Sequence, residues 1–165
     1  MVIGHIILHG FLYALVVNGY LLLTMVATSP RVWGYSDYSD EIKAKIPPQT
    51  RQERRLAIVI AIPWLFFAVA FPIYSSLILK NNLGGEIPFW QAFLNIAVMV
   101  LLASLVDLVV LDWLIISKIT PAFVVIPGTT ETDYKDLSYH YRAQARAGLG
   151  LLAMSLILAT VVVLL

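Results

Sequence analysis

The chain has 165 residues, of which 60% are hydrophobic and 13% are charged, and its formal net charge is +1. Soluble domains are about 45 to 50% apolar, so this composition places the chain in a lipid bilayer, and the low net charge excludes a basic surface for nucleic acid. The sequence contains no cysteine, which excludes disulfides, thiolate catalysis and thiolate metal sites.

Four apolar segments reach the length of about 20 residues that a helix needs to cross a hydrocarbon core of about 30 Å. They cover residues 3–27, 56–79, 90–116 and 147–165. The loops between them are too short to hold a second core. We therefore predict an all-α fold with one domain, residues 1–165, in which four transmembrane helices form an antiparallel bundle.

The basic residues concentrate in two of the three loops. Loop 28–55 holds six lysines and arginines and loop 117–146 holds four, whereas the short second loop holds only Lys80. The positive-inside rule then places both long loops in the cytoplasm and both termini outside. This distribution predicts a multi-pass protein of the plasma membrane.

The first span carries two histidines near its outer end. His5 and His9 are four residues apart, so they share one face of a helix. This spacing suits a transition metal or an axial haem ligand, and it equally suits a structural pair with no metal.

The first loop predicts a short helix at the membrane surface. Its apolar residues recur at helical spacing and are Tyr35, Tyr38, Ile42 and Ile46. Such a pattern is typical of an amphipathic helix at the cytoplasmic interface, and the prolines at 47 and 48 would end it. Thr50 and Glu53 then form a capping-box pattern at the start of the second long helix.

Asp107 is the residue of the spans that most needs an explanation. It lies ten residues before Ser117, or about 15 Å into the bilayer, and a charge there costs about 2.5 to 3.5 kcal/mol. The spans contain no lysine or arginine to neutralise it. Counting residues from the same face places three further polar or aromatic side chains at similar depth, which predicts a midplane cluster of Asp107, Asn18, Ser155 and Trp64. Asp107 is then either a proton or cation site or a neutral carboxyl bonded to Asn18.

Asp112 lies closer to the membrane edge. Its depth is about 7 Å, which predicts an ion pair with a cytoplasmic arginine. The candidates are Arg54, Arg55, Arg142 and Arg146. At 3.6 residues per turn, Asp107 and Asp112 are about 140° apart, so we predict that they do not form a carboxylate pair.

The second half of the chain carries a resemblance to a known type of protein. Its elements are Asp112-Trp113, the run Ile126-Pro127-Gly128-Thr129, an acidic patch, and Tyr139-His140 before the last helix. In these features the chain resembles small uncharacterised bacterial four-helix integral membrane proteins. The resemblance implies a fold and no particular chemistry.

Three functional hypotheses follow. The leading one is a non-enzymatic transporter, or a membrane subunit of a larger complex, working as a homo-oligomer or with other membrane subunits. The second is a membrane-embedded enzyme or a haem or metal protein, although no catalytic motif or cofactor is favoured. Its candidate residues are His5, His9, Asp133, Asp136, His140 and Arg142. The third is a lipid-binding scaffold that uses the basic first loop.

Overall fold

The structure, a computed structural model, describes residues 2–165. Within this range every regular element is a helix, and no strand is present. The elements in chain order are α1 (Val2–Ala27), α2 (Pro30–Trp33), α3 (Asp40–Ala44), α4 (Arg51–Asn82), α5 (Phe89–Val106), a π-helix (Asp107–Ile119), a 3-10 turn (Glu131–Tyr134) and α6 (Ser138–Leu164). The prediction of an all-α fold is confirmed.

Four helical segments are long and apolar enough to span a membrane. They are Val2–Ala27, Arg51–Asn82, Phe89–Ile119 and Glu131–Leu164. Large apolar side chains such as Leu15, Phe66 and Leu149 point outward and are exposed. A membrane protein exposes such side chains because lipid, rather than water, surrounds its helices. The prediction of four candidate spans is confirmed.

Helix α5 lies at the centre of the fold, in contact with α1, α4 and α6. The larger apolar core forms around it, and its buried members include Tyr13, Val17, Leu79, Ile96, Met99, Val100 and Leu158. Helix α4 continues through Pro63 and Pro72. It begins at Arg51 with the predicted capping box, in which the Thr50 hydroxyl accepts from the Glu53 amide and the Glu53 carboxylate accepts from the Thr50 amide.

The two long loops pack against each other in a second apolar core. Its buried members include Tyr38, Ile42, Ile46, Val124, Ile126 and Tyr134. The Tyr38 hydroxyl donates to the Val124 carbonyl, and Lys45 pairs with Asp133. Helix α3 itself is shorter than the pattern predicted, since it begins at Asp40 after the Ser39 cap. The apolar residues of the first loop are therefore covered by the third loop.

The last 13 residues of the third span are wound as a π-helix. Its hydrogen bonds join residues five apart, as where the Thr120 amide donates to the Ile115 carbonyl at 2.8 Å. Thr120 ends the segment in the left-handed region, with φ of 49°. In this winding, residues five apart lie on nearly the same face. The prediction that Asp107 and Asp112 diverge by 140° is therefore wrong, because it assumed 3.6 residues per turn.

Candidate functional site

A row of polar side chains lies between the π-helix and the first half of α6. Asp112 Oδ1 is 3.1 Å from His140 Nδ1. Gln144 Nε2 donates to Asp107 Oδ2 at 2.7 Å, and Ser104 Oγ donates to Gln144 Oε1 at 2.8 Å. We call these five residues the polar row. The row consists of two hydrogen-bonded groups, the pair Asp112–His140 and the chain Asp107–Gln144–Ser104, which together bring two carboxyls, an imidazole, a carboxamide and a hydroxyl to the contact between these helices.

The row depends on two different helix windings facing each other. His140 and Gln144 are four residues apart, so they share a face of the α-helix α6. Asp107 and Asp112 are five residues apart, and the π-helix brings them to one face. Each acid therefore meets one partner on α6. With α-helical winding, one of the two acids would turn away from α6.

The charges of the row are only partly compensated. The side chains of Asp112 and His140 are each 13% exposed, and Asp107 is half-buried. Within residues 2–165 the three ion pairs are Arg31–Glu53, Lys45–Asp133 and His140–Asp112. Asp107 therefore has a neutral partner, Gln144, and no ion pair. If both carboxyls are ionised and the imidazole is protonated, the row keeps one uncompensated negative charge, which binding one further proton removes.

One end of the row opens into a cleft of about 350 Å³. Its walls come from the two long loops and α6, and they include Tyr38, Asp133, Asp136, His140, Arg142 and Arg146. Asp37 lies near this entrance and retains contact with solvent. Partial desolvation nevertheless raises the pKa of the Asp37 carboxyl, and the negative charge of Asp112 adds to the rise while His140 opposes it. The end of the row at His140 is thus accessible from outside the apolar helices.

Among residues 2–165, no hydrogen bond joins the members of the predicted midplane cluster, Asp107, Asn18, Ser155 and Trp64, to one another. Asn18 Nδ2 donates to the Ala14 carbonyl at 2.9 Å and to the Ala103 carbonyl at 3.1 Å. This places Asn18 against α5 one turn before Asp107, but among residues 2–165 its recorded bonds do not include the Asp107 carboxyl. Ser155 Oγ donates within its own helix. The Trp64 side chain packs on the larger core, and its indole nitrogen has no recorded partner in residues 2–165.

Gln144 is the partner of Asp107 that sequence reasoning missed. The sequence predicts that the fourth membrane span begins at residue 147, after a helical stretch that runs through Tyr141 and Arg142, and Gln144 is not among the predicted partners of Asp107. Helix α6 in fact begins at Ser138 and carries Gln144 alongside the π-helix. The spacing of four residues between His140 and Gln144 was the available signal.

The predicted pairing of Asp112 with an arginine is also corrected. Its partner is His140. Arg142 instead donates to the carbonyl and the hydroxyl of Ser138. Two residues along an α-helix correspond to about 200°, so Arg142 faces away from the row. The other candidates, Arg54, Arg55 and Arg146, take no part in the three ion pairs formed within residues 2–165.

Apart from His140, the candidate metal and catalytic residues lie outside the polar row. The rings of His5 and His9 are stacked with centroids 3.8 Å apart, and His5 Nε2 lies 3.0 Å from the Ser75 carbonyl. Across residues 2–165, no group of three or more histidine, aspartate or glutamate side chains is arranged to hold a metal ion. Asp133 and Asp136 accept from the amides of Thr130 and Ser138, so both carboxylates stabilise local turns.

The chemistry available to the polar row is proton exchange. Carboxyl and imidazole groups take up and release protons, and the carboxamide of Gln144 links Asp107 to Ser104 by hydrogen bonds. The row therefore provides two titratable acids and a histidine in a sequence that runs from an accessible cleft into the apolar helices. The chain matches no protein-family model, no curated protein and no solved structure.

Proposed function

We propose that this protein moves protons into or across a membrane, as a small transporter or as a membrane subunit of a larger complex, and that Asp107 is its proton-binding carboxyl. The observation that carries the proposal is a half-buried acid inside a candidate span whose hydrogen-bond partner is neutral. Leaving a charge in such a position costs about 2.5 to 3.5 kcal/mol, so acids there usually serve ion or proton pathways.

The proposal takes the four helices as an antiparallel bundle. Two hydrogen bonds between α1 and α4 support this arrangement, because His5 meets Ser75 and the later Tyr20 meets the earlier Ile60 at 2.7 Å. The polar row supports it for the last two helices, since His140 and Gln144 run opposite to Asp112 and Asp107. By the positive-inside rule the cleft then lies on the cytoplasmic side of the plasma membrane.

A proton enters from the cleft and reaches His140, whose imidazole lines it. It passes to Asp112 across the 3.1 Å contact and then to Asp107, which shares a face of the π-helix. Gln144 holds the Asp107 carboxyl in place by one hydrogen bond. The path thus runs from an imidazole to two successive carboxyls, and intramembrane histidines and acids of this kind are the groups that proton relays use.

A proton fits this site better than a dehydrated metal cation. Calcium takes six to eight oxygen ligands and magnesium requires near-octahedral coordination. Asp107 has one recorded side-chain partner, Gln144, through its amide nitrogen, which donates and does not ligate. A single carboxylate oxygen suffices to bind a proton.

The test is proton flux into liposomes that contain the purified protein and a trapped pH-sensitive dye, driven by a potassium diffusion potential. We expect wild-type liposomes to acidify and Asp107→Asn to lower the rate at least tenfold. The matched control is Glu86→Gln, which removes a negative charge from an exposed loop residue and should leave the rate unchanged. Equal rates for wild type and folded Asp107→Asn would refute the role of Asp107. No flux in wild type, together with no co-purifying subunit, would refute the function.

A further inference from the structure

A second group of polar residues lies inside the helices, away from the polar row. It joins the start of α1, the last third of α4 and the first turns of α5 and consists of His5, His9, Ser75, Ser76 and Asn95. We call it the histidine cluster. Asn95 Nδ2 donates to Ser75 Oγ at 3.2 Å and to Ser76 Oγ at 2.9 Å, and His5 Nε2 lies 3.0 Å from the Ser75 carbonyl. Ser75, Ser76 and Asn95 are fully buried, with 0% exposure.

Two oxygen atoms of Ser75 lie beside the ring of His5. Nε2 is 3.0 Å from the Ser75 carbonyl and 3.2 Å from the Ser75 hydroxyl oxygen. When the ring is protonated, Nε2 donates to the carbonyl, which only accepts, and that hydrogen bond is charge-assisted. The contacts of His5 with Ser75 therefore accommodate a protonated ring.

Two polar side-chain atoms of the cluster have no partner within residues 2–165. They are Asn95 Oδ1 and His9 Nδ1, and both are buried. Asn95 uses its amide nitrogen for both serine hydroxyls. A buried polar atom without a partner is costly. The cluster can therefore take up a polar ligand that the described residues do not supply.

We propose that the histidine cluster binds a hydrated proton and forms a second station of the proton path proposed above. The water of the hydrated proton donates to Asn95 Oδ1 and His9 Nδ1, and His5 takes the excess proton at Nδ1. In this step one O–H bond of the hydrated proton breaks, an N–H bond forms at His5 Nδ1, and a neutral water remains. The inference rests on the proposed function, because a second station has a role only if the polar row handles protons.

The two histidines of the cluster together bind one proton. The two rings stack with an interplanar angle of 20°, so a second positive charge would lie directly against the first. The side chains of α4 in contact with the pair, Ser75 and Phe71, are neutral, and Asn95 of α5, which bonds to Ser75, is neutral too. Tyr13 is the next titratable side chain of α1, and it packs on Phe71. Nothing among these groups compensates a second charge.

A dry layer separates the two stations. Asn95 and Ser104 are nine residues apart on α5, or about 13 Å at 1.5 Å per residue. Between them Ile96, Met99 and Val100 are at most 2% exposed. A proton cannot cross this layer through the recorded hydrogen bonds. The stations therefore exchange a proton only when the helices move or water enters, which is the behaviour of a transporter rather than an open channel.

The proton site is tested by nuclear magnetic resonance of protein with ¹⁵N-labelled histidine, titrated between pH 4.5 and 8.5. We expect the pair to titrate in two steps separated by more than about one pH unit, as coupled sites do. Asn95→Leu removes the acceptor and should lower proton affinity at least tenfold, whereas the matched control Asn82→Leu, at an exposed position, should not change it. If Asn95→Leu does not fold, Asn95→Ala replaces it.

Independent titration of both histidines at the same pH, or unchanged affinity in the Asn95 variant, would overturn the proton site. Whether the histidine cluster belongs to the proton path is tested separately. Proton flux into liposomes that contain the His5→Gln variant should be at least tenfold lower than with wild type. An unchanged rate in His5→Gln together with a lost rate in Asp107→Asn overturns the second station and leaves the role of Asp107 standing. Flux absent from wild type removes the path, while the titration still decides the proton site.

Discussion

Gln144→Leu is the most informative single change, because it removes a carboxamide that hydrogen-bonds to two residues, Asp107 and Ser104. Gln144 donates to Asp107 at 2.7 Å and accepts from Ser104 at 2.8 Å. A neutral hydrogen bond contributes about 0.5 to 1.5 kcal/mol and one to a charged group about 1.5 to 3. The expected loss in free energy of unfolding is therefore about 1 to 3 kcal/mol if Asp107 is protonated and about 2 to 4.5 kcal/mol if it is ionised.

The assay is reversible unfolding in mixed micelles at several pH values, combined with a double-mutant cycle. In the Asp107→Asn background the bond from Gln144 is neutral, so the coupling energy between the two positions reports the charge on Asp107. We expect this coupling to shrink as the pH falls and Asp107 takes up its proton. Gln52→Leu, at an exposed position, serves as the matched control. A loss below about 0.5 kcal/mol for Gln144→Leu at every pH would refute the reasoning.

Two further predictions concern the accessible end of the row. His140→Ala should destabilise the protein by about 3 kcal/mol, since it leaves Asp112 without its ion-pair partner in a position that is 13% exposed; equal melting temperatures for variant and wild type would contradict this. Asp37→Asn should raise stability at pH 7 and leave it unchanged below about pH 4, because a carboxyl whose pKa is raised in the folded protein weakens folding as the pH rises through that pKa. A pH profile of unfolding that is identical for Asp37→Asn and wild type would contradict the second prediction.

The features that the sequence predicts correctly are local in origin. Hydropathy over about 20 residues finds the four candidate spans, because each helix must satisfy its own backbone in lipid. The capping box of Thr50 and Glu53 needs only three residues of sequence and one turn of helix. In both cases the cause and the effect lie within the same short segment.

The partners of the two acids were not predictable in the same way. Asp112 meets His140 and Asp107 meets Gln144 because the π-helix and α6 lie side by side in register. That register depends on where α6 begins, and hydropathy does not detect its polar first turns. It also depends on the wide winding after Val106, for which the apolar run around Asp107 carries no local signal. Contacts between two segments of different winding follow from tertiary packing.

Two processes would be linked in the π-helix: the change between π-helical and α-helical winding, and the protonation of Asp107 and Asp112. In the observed winding Asp107 and Asp112 share a face, so two ionised carboxylates repel each other along it. Conversion of the same segment to an α-helix would turn them about 140° apart and relieve that repulsion. Proton binding to either acid removes the repulsion and stabilises the π form. Uptake and release of one proton would therefore favour different rotations of the segment that carries Asp107 and Asp112.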